Sequence, residues 1–323
     1  MSLNRVLVMG GTEFVGKSLV KGLISKGYIV DFLTRGNKKV NFRGFHKHII
    51  CDRKNQNTLK GTLENYIYDY IFDVSAYTRE DVHFLLQSIN KSKLKRYVFI
   101  SSAAVYSPSN EYLYENSERG NNPHWGIYGE DKKKAEDYLF EKHQKDELPI
   151  VIFRPSYIYG KGNNLYRESY FFHRLMSEQP LPVPNTDQSK VQFIHINDIV
   201  DITIQSITND KTIGEAFNLT HPRQLNWMEL GSIIQNIISK GRVMSINREV
   251  IDLLNVKDRD FFPFRDVPLL LNTAKLKEDL LLPRIDIEEG LKLSYEWFLK
   301  QDLKPRFHEF EQLERVTRYC LER

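Results

Sequence analysis

Arg5 to Gly16 reads R-V-L-V-M-G-G-T-E-F-V-G, and the fold is decided there. Val6, Leu7, Val8 and Met9 form a short continuous apolar run, the pattern of a strand buried on both faces. The run breaks on Gly10 and Gly11. From Phe14, apolar residues recur at Val15, Leu19, Val20, Leu23 and Ile24, which is helical spacing. Strand, glycine turn and helix in that order open a βαβ unit. The helix start leaves unpaired N–H groups and a positive dipole end facing the turn, which suits a pyrophosphate. Gly10, Thr12, Glu13, Phe14, Val15 and Gly16 are therefore candidate cofactor contacts. Dinucleotide sites carry a middle glycine that lets the phosphates approach the backbone. Glu13 stands in that place here, and Gly11 is the residue available to take over the role. An ordinary strand–turn–helix reads the same way, so the fragment alone does not decide for a cofactor.

The whole chain has 323 residues, enough to bury a full core and to hold one large or two smaller domains. Its 41% hydrophobic and 27% charged residues are those of an ordinary globular protein. No apolar run approaches the ~20 residues of a membrane span, and no signal-peptide core is seen at the N-terminus. Two cysteines, Cys51 and Cys320, speak against a disulfide framework or a cysteine-ligated metal, and no metal site is expected. A reducing, cytoplasmic compartment is the expectation. The net charge of +4 is too mild to identify a polyanionic partner.

Further along, Tyr28 to Thr34 reads as a second strand, whose end selects between nicotinamide cofactors. An acid there holds the ribose 2′-hydroxyl of NAD, and basic residues hold the 2′-phosphate of NADP. The strand ends on Thr34 and Arg35, with Lys38 and Lys39 following, while Asp31 lies too early, inside the strand. This favours NADP over NAD, with a merely solvated lysine loop as the alternative. A third strand, His48 to Cys51, runs into Asp52 and Arg53, placed to reach the adenine. A fourth, Tyr70 to Ser75, ends on Ser75 and Ala76, small enough for a cofactor to lie against them, and a helix follows from Arg79 to Ser92. Arg96 to Ser102 is a fifth. Strands alternating with helices call for a parallel, doubly wound sheet of the α/β class.

Chemistry begins at the end of the fifth strand. Ser101-Ser102 precedes Ala103-Ala104-Val105-Tyr106, and Tyr128 and Lys132 come later on a lysine-rich helix running to about His143. A Tyr and a Lys four apart share a helix face, so the ammonium can favour the phenolate. To act as a base at neutral pH, a tyrosine must fall ~3 pKa units, about 4 kcal/mol. Lysine and a nicotinamide cation can together supply that. Lys133 and Lys134 read as a solvated face.

On these residues the chain resembles an extended short-chain dehydrogenase/reductase of the NAD-dependent epimerase/dehydratase family, over nearly its whole length to about Lys300. S-S-A-A-V-Y is similar to the serine-bearing strand end of sugar-nucleotide epimerases, which implies that Ser102 carries the active hydroxyl. Tyr128 and Lys132 match the family's catalytic pair. R-P-S-Y-I-Y-G (Arg154 to Gly160) resembles the segment lining the nicotinamide, which adds Pro155 to the cofactor contacts. L-P-V-P (Leu181 to Pro184), H-I-N-D-I (His195 to Ile199) and F-N-L-T (Phe217 to Thr220) match later landmarks. G-T-E-F-V-G, V-Q-F-I-H and F-P-F-R-D are closest to an atypical branch that contains the chloroplast stem-loop-binding proteins.

Two departures matter. Family dehydratases carry an Asp-Glu pair after the active hydroxyl, where this chain has Ala103 and Ala104; that speaks against dehydration. UDP-sugar epimerases place an arginine diphosphate clamp where this chain has Val191, beside Lys190. Lys190 and Arg265 are the candidate substitutes, Arg265 reading equally well as a surface ion-pair partner. Asn163 and Asn164 are candidates to bind a polar substrate, or to form a turn.

The resemblance implies a Rossmann-type NAD(P)-binding domain over 1–165, with 191–222 returning to it. It implies a smaller substrate lobe from 166–190 and 223–300. An amphipathic helix over 301–323 is expected to pack on that lobe, since Phe307, Phe310, Leu313, Val316 and Cys320 recur at helical steps. The function expected is Tyr/Lys/Ser-assisted hydride transfer at a hydroxyl carbon of a sugar or nucleotide sugar, as epimerisation or net oxidoreduction. The second reading is a protein of the same fold that binds RNA, through a patch of Lys91, Lys93, Lys95, Arg96, His46, Lys47 and His48. Oligomeric state is left open, a homodimer included.

Overall fold

The computed structural model describes residues 4–185, 189–256 and 262–322. The expected doubly wound sheet is present. Strands β1 (Arg5–Met9), β2 (Ile29–Thr34), β3 (Lys47–Ile50), β4 (Tyr70–Asp73), β5 (Arg96–Ile100), β6 (Ile150–Pro155) and β10 (Glu215–Leu219) form one seven-stranded sheet. Its order is β10-β6-β5-β4-β1-β2-β3, and all its pairings are parallel.

The apolar runs are explained by burial on both faces. Val6, Val8, Phe32, Phe72, Val98 and Phe153 pack into one layer, and Leu7, Met9, Ile71, Tyr97, Phe99 and Ile152 into the other. Helices α1 (Phe14–Ser25) and α6 (Ile196–Ser206) cover the first layer. Helices α2 (Gln56–Leu63), α3 (Arg79–Ser88) and α4 (Ile127–Asp146) cover the second. Helix α3 ends at Ser88 and not at Ser92, because the backbone at Ile89 is already extended.

β1 lies between β2 and β4, so the chain order reverses beside its carboxyl end, the place where open α/β sheets hold ligands. A third apolar cluster gathers the later elements: β8 (Leu181–Pro184) paired with β11 (Val243–Ile246), and α5 (Glu168–Met176) and α7 (Trp227–Ile238). β7 (Tyr157–Tyr159) and β9 (Phe193–His195) pair beside it. The last helix, Glu311–Leu321, buries Leu313, Val316 and Thr317 against this cluster, and Glu314 ion-pairs with Arg174 at 2.6 Å. Phe307 and Phe310 lie in a 3₁₀ turn before it, edge-on to Tyr170.

Candidate functional site

A cleft of about 590 Å³ opens at the carboxyl ends of β1 to β4. Gly10, Thr12, Glu13, Phe14, Val15, Gly16, Thr34, Arg35, Lys38, Asp52, Arg53 and Ser75 all line it, which brings most of the sequence-derived cofactor residues together. Asn164 also lines it. The glycine turn is needed sterically. Gly10 has φ +92°, and a side chain on Gly16 would begin 1.5 Å from the Gly10 carbonyl oxygen. Helix α1 starts at Phe14 with no side-chain cap, so its first N–H groups face the cleft end as an anion cradle. These features fit a dinucleotide.

Several expectations are corrected. Gly11 does not replace the middle glycine: a Cβ there would lie 2.7 Å from the Phe32 ring, so its bareness serves packing against β2. The cost of Glu13 falls one residue later. Glu13 is extended, and Phe14 carries φ +31°, a conformation costing a side-chain-bearing residue about 1–3 kcal/mol. Lys38 lines the cleft and ion-pairs with Glu13 at 3.4 Å, both side chains being exposed, so a cofactor phosphate would compete with Glu13 for it. Arg53 does not reach out to adenine. Its guanidinium turns inward onto both Asp73 oxygens at 2.7 and 2.9 Å, and also onto Ser75 Oγ and the Asp81 carbonyl. Asp73 is fully buried, and despite that burial the Arg53 charge holds its carboxyl below the usual range. Asp31 is likewise fully buried, bound by Arg5, His46 and Tyr68, and plays no part in the cleft. Ala76 and Pro155 are buried and not among the lining residues; the Ala76 carbonyl instead accepts from Lys132.

Ser102, Tyr128 and Lys132 gather beside Tyr77, which lines the cleft. The Tyr77 and Tyr128 rings are 6.1 Å apart, and the Lys132 ammonium sits 5.3 Å from the Tyr77 ring centre. Ser102 caps the short 3₁₀ turn of Ala103–Val105, its Oγ accepting from the Ala104 N–H at 3.2 Å. Tyr128 is 37% exposed, yet loss of solvent around its phenol pushes its pKa above the ordinary value. Hydrogen bonding from Ser102 and the nearby Arg167 charge favour the phenolate, while Tyr77 opposes it.

Arg167 is the cation that favours the Tyr128 phenolate here, while the Lys132 ammonium is engaged by backbone carbonyls. Its Nζ donates to the Ala76 and Ile100 carbonyls, both at 2.7 Å, beneath the site. Burial lowers its pKa to about 8, against the opposing pull of Asp73.

Among the substrate candidates, Asn163 is a turn-former: its Nδ2 donates to buried Glu168 and its Oδ1 accepts from the Leu165 N–H. Lys190 is exposed, and Val191 is buried in bridges to Leu225 and Leu269, which leaves no room for a clamp at that place. Arg265 lies 4.7 Å over the Trp125 ring, and its backbone N–H donates to the Tyr157 hydroxyl. Sequence reasoning missed Tyr77 and Arg167. Tyr77 had a signal, since it directly follows Ser75-Ala76. Arg167 had none, because Phe264, which joins Tyr157 against it, is far from it in the chain.

Most of the proposed basic patch is paired within the chain, though only Arg96 is buried. Arg96 is 2% exposed and bound to Asp210 and the Asn209 carbonyl. Lys95 pairs with Asp69, His46 with Asp31, His48 with Thr34 and Lys47 with the Tyr66 hydroxyl. Among the described residues no group of three metal-ligand side chains occurs, and no helix is long and apolar enough to cross a membrane.

A family model described as the NAD dependent epimerase/dehydratase family matches residues 6–220. The chain is 29% identical over 315 residues to a chloroplast stem-loop binding protein of 41 kDa of Arabidopsis thaliana, covering 91% of this chain and 79% of that one. It is 25% identical over 323 residues to a putative UDP-glucose 4-epimerase of Methanocaldococcus jannaschii, covering 90% and 97%. Among solved structures, a UDP-glucose 4-epimerase with UDP-glucose from Thermotoga maritima superposes with a TM-score of 0.76 at 19% identity, over 92% of this chain and 99% of that one.

Proposed function

The chain belongs to the NAD-dependent epimerase/dehydratase family, and we propose that it carries out NAD(P)-dependent epimerisation or oxidoreduction at a hydroxyl carbon of a nucleotide sugar. The observation that carries this reading is the gathering of Ser102, Tyr128 and Tyr77 at the edge of the dinucleotide cleft, with Lys132 beneath. A bound nicotinamide supplies the hydride acceptor. Tyr128 takes the substrate's hydroxyl proton, and Ser102 donates a hydrogen bond to the reacting oxygen. Lys132 fastens the ends of β4 and β5 together through the Ala76 and Ile100 carbonyls, which fixes the floor under Tyr77. Ala103 and Ala104 are 2% exposed in their turn and offer no acid or base, so elimination of water is not part of the proposal. Residues 166–190 and 223–300 are assigned to hold the sugar. The test is a screen of UDP- and other nucleotide sugars with each cofactor; the absence of any cofactor binding by the purified protein would overturn the reading.

The cofactor is proposed to be NADP, because exposed Arg35 lines the cleft at the end of β2 with no carboxylate bonded to it among the described residues. Arg35→Ala is expected to weaken NADP binding more than NAD binding, since only NADP has a 2′-phosphate to lose. Titration of both cofactors by protein fluorescence checks this, and tighter NAD than NADP binding by the parent would refute it.

The Arabidopsis relative gives RNA binding a specific motive as the second reading. Pairing of Arg96, Lys95 and His46 with acids leaves Lys47, Lys91 and Lys93 as its exposed lysines without a bonded acid, too few phosphate contacts for tight binding. Only weak retention that fades steeply with salt is expected. Nanomolar, stem-loop-selective binding at physiological salt would reverse the ranking of the two readings.

A further inference from the structure

Five arginines of the interior are answered by a carboxylate, and Arg167 is not. Arg53, Arg96, Arg119, Arg154 and Arg174 are each answered by a carboxylate, at 2.7, 3.3, 2.8, 2.8 and 2.6 Å. Arg167 is half-buried, yet its guanidinium makes no ion pair and no hydrogen bond among the described residues. Its centre instead lies 5.4 Å from both the Tyr157 and the Phe264 rings. Burial depresses its basicity, so it is a cation held at a cost. The adjacent carboxylate does not relieve it: Glu168 is committed to the Gly160 N–H at 3.0 Å and to Asn163 at 2.9 Å.

Aromatic faces hold a guanidinium plane in place while leaving its N–H edges open, and those edges match a planar oxyanion two bonds at a time. The same aromatic wall leads to the reacting centre. Tyr157 packs on Trp125 at 6.0 Å, and Trp125 lies just before Tyr128 at the start of α4. Arg167 and Tyr128 each feel the other's charge. An anion bound here therefore sits at the reacting end of the substrate and not at the nucleotide end.

We propose that Arg167, held on Tyr157 and Phe264, recognises a carboxylate of the substrate close to the carbon handled by Tyr128, so that the sugar is a uronate and not a neutral hexose. This rests on Tyr128 being the residue that faces the reacting hydroxyl. It assigns the chain a substrate class that the missing clamp at Val191 leaves undetermined.

UDP-glucuronate and UDP-glucose differ at C6, where a carboxylate replaces a hydroxymethyl group, so their binding to the cofactor-loaded protein isolates the contact. Calorimetry on the parent, Arg167→Gln and Arg167→Lys is the measurement. The parent is expected to bind UDP-glucuronate about 10- to 100-fold tighter than UDP-glucose, the range of a charge-assisted pair. Arg167→Gln is expected to abolish that difference while leaving UDP-glucose binding unchanged, and Arg167→Lys to keep part of it. The melting temperature of Arg167→Gln should equal or exceed the parent's, because no carboxylate is left unpaired.

Equal loss of both ligands in Arg167→Gln would place the guanidinium on the diphosphate and overturn the assignment, as would a uronate preference that survives the substitution. Should neither UDP-sugar bind the parent, the nucleotide-sugar reading fails, and free glucuronate against glucose then decides for Arg167 separately. Glucuronate binding lost in Arg167→Gln supports the carboxylate site, and its absence in the parent overturns it. Should Arg167→Gln fail to fold, Arg167→Lys, which keeps the charge but loses the fork, carries the same comparison.

Discussion

Tyr128→Phe should turn over an active substrate about 10²- to 10⁴-fold more slowly than the parent, the usual loss on removing a general base. The substitution deletes only the hydroxyl. The ring that packs 6.1 Å from Tyr77 remains, so folding and cofactor affinity are expected to survive. The structure sharpens the reason. Burial raises the Tyr128 pKa, and the groups that bring it back are Ser102 and Arg167, with the bound nicotinamide's positive charge added when the site is loaded. Ser102→Ala should therefore slow the reaction less than Tyr128→Phe and move the rising limb of the pH–rate profile upward, since the phenolate loses its hydrogen-bond donor. A Tyr128→Phe variant that turns over near the parent rate would refute the assignment of the base, and would leave Tyr128 as an ordinary surface residue of α4.

The parts of the molecule that could be read from sequence are those whose physics is local. A strand buried on both faces must be an unbroken apolar run, and V-L-V-M at Val6–Met9 shows it openly. The turn that follows needs glycine at Gly10 because of its positive φ, and at Gly16 because a carbonyl lies against it. The reading failed where a side chain chooses between partners remote in sequence. Arg53 is followed by a polar stretch and reads as a cofactor contact, but Asp73 stands twenty residues later at the end of β4 and captures it. Lys132 shares a helix face with Tyr128, and that spacing is real; the carbonyls of Ala76, just past the end of β4, and of Ile100, at the end of β5, nevertheless take its ammonium. Arg167 could be weighed only once Tyr157 and Phe264 were seen to converge on it. Ion-pair choices are decided by tertiary packing, and for that reason the charged half of the site was the less legible half.

Lys132 provides the other large effect, and it appears in stability before it appears in rate. Its ammonium is buried and its pKa falls to about 8 in the folded chain, against about 10.4 for an unfolded lysine. Between those values the unfolded chain holds a proton that the folded chain has released, so folding stability rises with pH across that window. The full rise amounts to about 3 kcal/mol. Both hydrogen bonds can persist through it, because a neutral amine still has two N–H groups for the Ala76 and Ile100 carbonyls. Above pH ~10 buried tyrosines reverse the trend. Tyr106 and Tyr157 are pushed up to about 12, so the folded chain keeps protons that the unfolded chain loses. Lys132→Met removes the first effect and keeps the second. Urea unfolding of parent and variant at pH 7, 8, 9 and 10 should therefore give stability differences that shift in the parent's favour as pH rises, by up to about 3 kcal/mol over the series. The same variant should lose rate and cofactor affinity, since the floor beneath Tyr77 is no longer tied at both strand ends. Parallel stability curves for the two proteins would mean that Lys132 stays charged in the fold throughout, and that its two carbonyls and Asp73 solvate it as well as water does.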